Sequence, residues 1–267
     1  MPKVRKATPE DHPTFARLFP ELGVDDAIPD ATRFATEMVP TTILAEDEAN
    51  DVLGYAYWVV LAETVHLSQI VVAKDARGKG VGRLLMTAVR DAARATGRTL
   101  LSLNVNPSNT PALRLYESFG MKPVYGSKAL RLAWEVVDEL SDEETSLAGA
   151  VRPIEPHEDA RVESESAIVS GYLGDARSRA GRVLRVLEEN GVIVAAAVFD
   201  TTFPGAYPFK ALHERAALSM LHALRPHARE TDAIVNIVVM DQPHIADMLI
   251  ARGATIRLET VHLRGPL

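Results

Sequence analysis

The chain has no cysteine, two tryptophans, 6% aromatic residues in all, and no block of Lys or Arg longer than two or three. Without cysteine there are no disulfides, no thiolate metal sites and no cysteine nucleophile, so any thiol chemistry has to come from a cofactor. No apolar run approaches the roughly 18 residues that span a bilayer. The opening MPKVRKATPEDHPTF has no apolar core of the kind an export signal carries, and a cytoplasmic protein is expected. Basic residues number 29 against 36 acidic ones, a formal charge of −7. That argues against nucleic acid as a partner, because counterion release from phosphates needs a basic patch. An acidic surface suits a cationic substrate better, although net charge describes the average surface and not a site.

What is present is ordinary globular composition, 47% hydrophobic and 24% charged over 267 residues, enough for one large domain or two small ones. Val4 to Thr8 reads as a strand. Thr8, Pro9, Glu10 and Asp11 then supply an N-cap, a first-turn proline and early acids for a helix to about Phe19. A loop, PELGVDDAIPD, precedes a second helix over Ala31 to Met38. Thr41 to Glu46, Val52 to Leu61 and Val65 to Ala73 read as an antiparallel meander. The period then changes from two to 3.6, with Val81, Leu84, Leu85, Ala88, Val89 and Ala92 on one face and Gly97 as the stop. A strand over Thr99 to Val105, a helix over Pro111 to Phe119 and a strand within Val124 to Trp134 complete this half.

Glu135 to Ala150 is acidic and without periodicity, and reads as a linker. The expected division is residues 1–140, a linker 141–150, and a second domain 151–267. The second stretch repeats the first. Val151, Arg152 and Pro156 have the spacing of Val4, Arg5 and Pro9, and an Asn190-Gly191 pair marks a hairpin turn. Residues 77–121 map without a gap onto 210–254, so that Gly120 lands on Gly253.

Two motifs carry chemistry. The first is Arg77-Gly78-Lys79-Gly80-Val81-Gly82, between the IVV strand and the clearest helix. Glycines there let the backbone approach a ligand and turn N–H groups inward, where a helix start adds positive potential. This describes a pyrophosphate cradle; the alternative is a tight strand-to-helix turn that needs positive φ. Gly80 stands where a P-loop requires Ser or Thr, and the third glycine is one residue early for a dinucleotide turn. The second motif is Asn109, Ala112, Leu115, Tyr116, Phe119, Gly120 and Met121 in SNTPALRLYESFGM.

Arg77-x-x-Gly80-x-Gly82, followed about 30 residues later by Asn-x-x-Ala-x-x-Leu-Tyr-x-x-x-Gly-Met, resembles the GCN5-related N-acetyltransferase (GNAT) family in order and spacing. The resemblance covers roughly residues 1–134. It implies an α/β (α+β) fold of two GNAT-like domains, each a mixed, mostly antiparallel splayed sheet flanked by helices, and acetyl-CoA as cosubstrate. It further implies that the backbone of Ile70, Val71 and Val72 binds the pantetheine arm and thioester carbonyl. Amides from Arg77, Gly78, Lys79, Gly80, Val81 and Gly82, with Arg83 close by, would bind the pyrophosphate. Asn109 would hydrogen-bond pantetheine, and Tyr116 would protonate the leaving thiolate. The phenol's pKa of about 10 exceeds a thiol's of about 8.5, so transfer becomes favourable only as thiolate develops. The alternative for Tyr116 is an ordinary half-buried helix residue.

Many members place Glu on the strand before the cradle, whereas this chain has His66-Leu67-Ser68-Gln69-Ile70. A carboxylate base on that strand is therefore in doubt. His66 has a suitable intrinsic pKa, near 6.5, as catalytic base. Gln69 can only orient a water, Glu63 lies at the predicted turn, and an amine that loses its proton through water needs no base at all. Glu21, Asp25 and Asp26, in the loop that shapes the family's acceptor pocket, are candidates for attracting an ammonium group; the alternative is a solvated acidic loop. In the second half Arg77, Gly80 and Gly82 become Lys210, His213 and Arg215, Asn109 becomes Gln242, and Tyr116 becomes Leu249. That half reads as degenerate, and no metal site is assigned. The expected activity is transfer of an acetyl group to a primary amine, with a small molecule favoured over a protein or peptide. A non-catalytic acyl-CoA-binding sensor or scaffold, or a generic phosphate binder, are the other readings. Monomer and dimer are both left open.

Overall fold

The computed structural model describes residues 2–24, 27–61 and 64–267. Its backbone contacts divide the chain into two units, residues 1–124 with 261–267, and residues 125–260.

Unit 1 starts with β1 (Lys3–Lys6), α1 (His12–Leu18) and a helix of two parts, α2 (Ala31–Arg33) and a wider π-turn over Phe34–Met38. Asp30 caps it by accepting from the Arg33 N–H at 2.8 Å. Phe15 and Phe34 turn inward and pack with centroids 4.7 Å apart and planes tilted by 30°, and Phe15 packs on Tyr55 at 5.0 Å. β2 (Thr42–Glu46), β3 (Val52–Val60) and β4 (Thr64–Val72) form the expected meander. α3 (Val81–Arg94) buries Val81, Leu85, Met86, Val89 and Ala93, the apolar stripe of a 3.6-residue period. It carries the chain across to β5 (Leu100–Val105), which runs parallel to β4. α4 (Thr110–Glu117) follows and stops at Gly120, whose φ of 80° is left-handed.

Two expectations fail at this point. The strand expected to close the first half, β6 (Lys122–Ala133), pairs through residues 127–133 with β11 (Ile234–Met240) inside unit 2. Its place in unit 1 is taken by the end of β12 (Thr255–Pro266), where Val261 to Pro266 run antiparallel to Val105 to Leu100. The strand order in unit 1 is therefore β1-β2-β3-β4-β5-β12. The boundary also lies elsewhere than at 141–150. Trp134 and Val137, on α5 (Trp134–Asp138), are each 1% exposed in the core of unit 2, and the Leu147 N–H donates to Ser219 Oγ at 3.3 Å. The acidic stretch that reads as a linker starts on a helix whose Trp134 and Val137, at i and i+3, share one apolar face.

Unit 2 repeats the architecture. β7 (Arg152–Pro153), α6 (Asp159–Glu165) and α7 (Tyr172–Arg177) precede a meander of β8 (Arg182–Glu189), β9 (Val192–Asp200) and β10 (Gly205–Ala211). α8 (Glu214–Leu224) then connects β10 to its parallel neighbour β11, and α9 (Pro243–Ala251) precedes β12. The order β7-β8-β9-β10-β11-β6 matches that of unit 1, with one parallel pair in the same place. Each unit is a mostly antiparallel, mixed sheet flanked by helices.

Candidate active site

In unit 1 the parallel β4–β5 ladder runs from Thr64↔Leu100 to Leu67↔Leu103 and stops, while β4 remains paired with β3 as far as Val72↔Gly54. Ser68 to Val72 thus offer one backbone edge without a ladder partner, a slot in which an extended ligand can hydrogen-bond like an added strand. The change occurs at a bulge, since Trp58 pairs with Leu67 and Tyr57 with Gln69, leaving Ser68 as the extra residue. Ile70, Val71 and Val72, the expected pantetheine-binding residues, lie on this edge.

The glycine loop follows. Gly78 and Gly80 have φ of 76° and 81°, and a Cβ at either would meet nothing within 4 Å. These two glycines are there for backbone conformation, and the space over them is open. Gly82 differs: a Cβ would come within 3.2 Å of Leu115 Cδ2, so its role is close packing of the first turn of α3 on α4. The N–H groups of Gly82 and Arg83 have no backbone acceptor among the described residues, as expected of a helix start, where the dipole favours an anion. Arg77 is engaged within the protein. Its Nε donates to Val72 O at 3.1 Å and its guanidinium pairs with Glu21 at 2.7 Å. Glu21, expected as a substrate residue, therefore anchors the cradle arginine instead of standing free. Asp25, Asp26 and Glu63 lie outside the described residues. Lys79 and Arg83 are exposed, and Arg83 donates to Ser118 Oγ at 3.1 Å.

Asn109 is the N-cap of α4, its Oδ1 accepting from the Ala112 N–H at 3.2 Å, which leaves its amide nitrogen for a ligand. Tyr116, on the same helix, is 5% exposed, and burial pushes its phenol above the ordinary value. Among the described residues its hydroxyl makes no hydrogen bond.

His66 pairs with Val59 across β3 and with Ser102 across β5, and its Nδ1 lies 3.1 Å from Ser102 Oγ. Burial lowers its pKa from 6.5, so the ring is neutral at neutral pH and able to accept a proton. Gln69 is held by the Tyr55 hydroxyl, which donates to its Oε1 at 3.0 Å. A residue the sequence reading did not single out lies beside His66. His262, on β12, stacks on it with centroids 6.2 Å apart and planes 4° from parallel. No local signal marks His262, because it is far from His66 in sequence and only the register of the last strand brings it there.

The corresponding place in unit 2 keeps a cavity of about 180 Å³, lined among others by Lys210, Ala211, Asp241 and Gln242, but has lost the features of the cradle. β10 continues through Lys210 and Ala211, so the residues matching Arg77 and Gly78 are strand and the loop is gone. His213 caps α8 with its own side chain, Nδ1 accepting from the Ala216 N–H at 3.1 Å, and so occupies the helix start where an anion would bind. Gln242 bonds both Ala211 N and Ala211 O, Lys210 Nζ donates to Met240 O at 3.0 Å, and Leu249 is fully buried. Among the described residues no cluster of three or more metal-ligating side chains occurs, and no helix is long and apolar enough to cross a membrane.

Residues 7–121 match the model of the acetyltransferase (GNAT) family. A streptothricin acetyltransferase of Streptomyces lavendulae is 32% identical over 110 residues, 40% of this chain and 57% of that protein, so the chain spans little more than half of this curated relative. A GCN5-related N-acetyltransferase from Sphaerobacter thermophilus has a similar structure, with a TM-score of 0.68 at 17% identity over 99% of this chain and 95% of its own. A tandem GNAT protein from the clavulanic acid biosynthesis pathway gives 0.56 at 20% identity, over 100% and 98%. These identities carry the fold alone, and the likeness extends through both halves. The open β4 edge and the glycine loop lie in the same unit as the segment, residues 7–121, that is similar to the acetyltransferase (GNAT) family.

Proposed function

We propose that the protein is an acetyl-CoA-dependent N-acetyltransferase that acts on a primary amine of a small molecule, with unit 1 as its catalytic unit. The observation that carries this reading is the β4 edge left open from Ser68 to Val72 and followed directly by the glycine loop and the start of α3. The residues present fit acetyl-CoA: an unpaired strand edge for pantetheine, open space over Gly78 and Gly80, and free amides at Gly82 and Arg83 for the diphosphate. Bound acetyl-CoA supplies an activated acetyl carbonyl. The backbone of Ile70 to Val72 orients it and stabilises negative charge as it develops on the carbonyl oxygen. Asn109 contributes its amide nitrogen. Neutral His66 takes the proton that the acceptor ammonium must lose before attack; protonated Tyr116 gives its proton to the departing thiolate and regains one from the nitrogen as the amide forms. Attack is direct and needs no covalent enzyme intermediate, in keeping with the absence of cysteine. The small-molecule assignment is supported by the relative named for streptothricin.

The test is release of free CoA from acetyl-CoA across a panel of small amines and amine-bearing peptides, beside Tyr116→Phe. The expected result is turnover with a small amine, with kcat lowered about 100-fold in the variant and the KM for acetyl-CoA little changed. Tight acetyl-CoA binding without release on any acceptor would replace the enzyme with a sensor, and absence of binding would remove the cradle.

A further inference from the structure

We infer that His262, carried by the last strand of the chain, is a positioning residue for His66: its imidazole is the flat wall that fixes the plane of the His66 ring. The inference rests on the reading of His66 as proton acceptor. Among the described residues, the hydrogen bond from Nδ1 to Ser102 Oγ at 3.1 Å holds one edge of the His66 ring. The His262 ring, parallel to within 4° with its centroid 6.2 Å away, bounds the plane in which that ring lies. The wall is itself held. His262 is 8% exposed, its Nδ1 lies 3.0 Å from Asn104 Oδ1, and its backbone is in register opposite Asn104 on β5. With Nδ1 of His66 engaged by Ser102, Nε2 is the nitrogen left for the acceptor, and a fixed ring plane fixes the direction of its lone pair. Proton transfer depends steeply on that alignment.

Val59 on β3 and Ser102 and Asn104 on β5 bring no charge. Of the charged residues on β12, which are Arg257, Glu259 and Arg264, the one that acts on His262 is Arg264, whose backbone is opposite Ser102. Burial first, and then His66 and Arg264, disfavour a proton on His262 and together push its imidazole down to about 4. The wall therefore stays an uncharged surface while His66 titrates. Unit 1 thus takes an active-site component from the far end of the chain, since residues 261–267 are the part of it that follows residue 124.

The experiment uses the full chain with three substitutions, His262→Gln, His262→Phe and Asn104→Ala, and measures kcat, KM for acetyl-CoA, the pH profile of CoA release and thermal unfolding. Asn104 is exposed, so its truncation frees the His262 ring without disturbing the core. Expected are a fall in kcat of about tenfold in His262→Gln and Asn104→Ala, with KM within about twofold and the acid limb of the profile moved up toward the ordinary imidazole value. His262→Phe, which restores a flat ring, should keep both rate and limb. If His262→Gln does not fold, Asn104→Ala and His262→Phe decide between them. Wild-type rate and limb in Asn104→Ala, or a loss in His262→Phe as large as in the other two, would overturn the inference. His66→Gln, run in parallel, separates the two claims: if it abolishes the acid limb while the His262 and Asn104 variants change nothing, only the wall fails. If it keeps both rate and limb, the base assignment fails and the wall with it.

Discussion

At the residue scale, burial sets protonation in unit 1. It keeps the Tyr116 phenol protonated and the His66 and His262 rings neutral, the states that the proposed acid and base roles require at the same pH. The same burial has a consequence for stability. The folded chain refuses protons on these histidines that the unfolded chain binds below 6.5, the ordinary histidine value, and at His262 it does so down to about 4. Their neutral burial therefore costs nothing above 6.5, and the folded state loses stability as pH falls through that window. Thermal unfolding is expected at progressively lower temperature from neutral pH to about pH 4, and His262→Phe should flatten part of that slope. Calorimetry of the two proteins over this range checks it; parallel slopes would contradict the neutral burial of His262. Arg77 makes a different point. Its family resemblance marks it for the pyrophosphate, yet its guanidinium is 2.7 Å from Glu21, so it acts as the tie that holds the loop's first residue to the α1 side.

At the element scale, two helix starts divide structural from ligand-binding work. Gly80 and Gly82 look equivalent in the motif, but one supplies a left-handed φ of 81° and the other a gap for Leu115. Gly82→Ala is expected to cost about 1 kcal/mol through overpacking with little change in turn shape, whereas Gly80→Ala pays a comparable backbone strain, about 1 kcal/mol, and weakens acetyl-CoA binding by reshaping the loop. Thermal melts read the first effect and calorimetric titration with acetyl-CoA the second. At α4, Asn109 caps the helix with its amide oxygen, and the proposed pantetheine contact uses its amide nitrogen. Asn109→Ser should retain the cap and lose the ligand contact, and Asn109→Ala should lose both, with about 1 kcal/mol of stability. Equal acetyl-CoA affinity in wild type and Asn109→Ser would leave Asn109 a cap and nothing more. The contrast with α8 is instructive, because there His213 caps the helix from within and no anion is needed.

At the scale of the whole molecule the decisive feature is which strand closes which sheet. Gly265 lies near the end of the chain, yet a Cβ there would come within 2.9 Å of Met121 Cα and 3.0 Å of Gly120 O. Gly265→Val should therefore destabilise unit 1 by about 1–3 kcal/mol and lower CoA release, while Gly149→Ala, in the segment that reads as a linker and with nothing within 4 Å of its Cβ, should be neutral. Melting temperature and CoA release measured on both variants check this, and an unperturbed Gly265→Val would contradict the close approach of the last strand. The sequence by itself determined most of the elements and the motif: the period of 3.6 from Val81, the glycine loop from Gly78 to Gly82, the Tyr116 position, and the loss of the cradle around His213. Each of these is a local property, set within a few residues by side-chain period, φ preference or capping chemistry. Only the tertiary structure decided that β6 completes the sheet of unit 2, that residues 261–266 complete that of unit 1, that Glu21 meets Arg77, and that His262 stacks on His66. Backbone hydrogen bonds at a sheet edge accept any extended segment of suitable alternation, so the partner of an outer strand is selected by packing of the whole core and not by the residues of the strand alone.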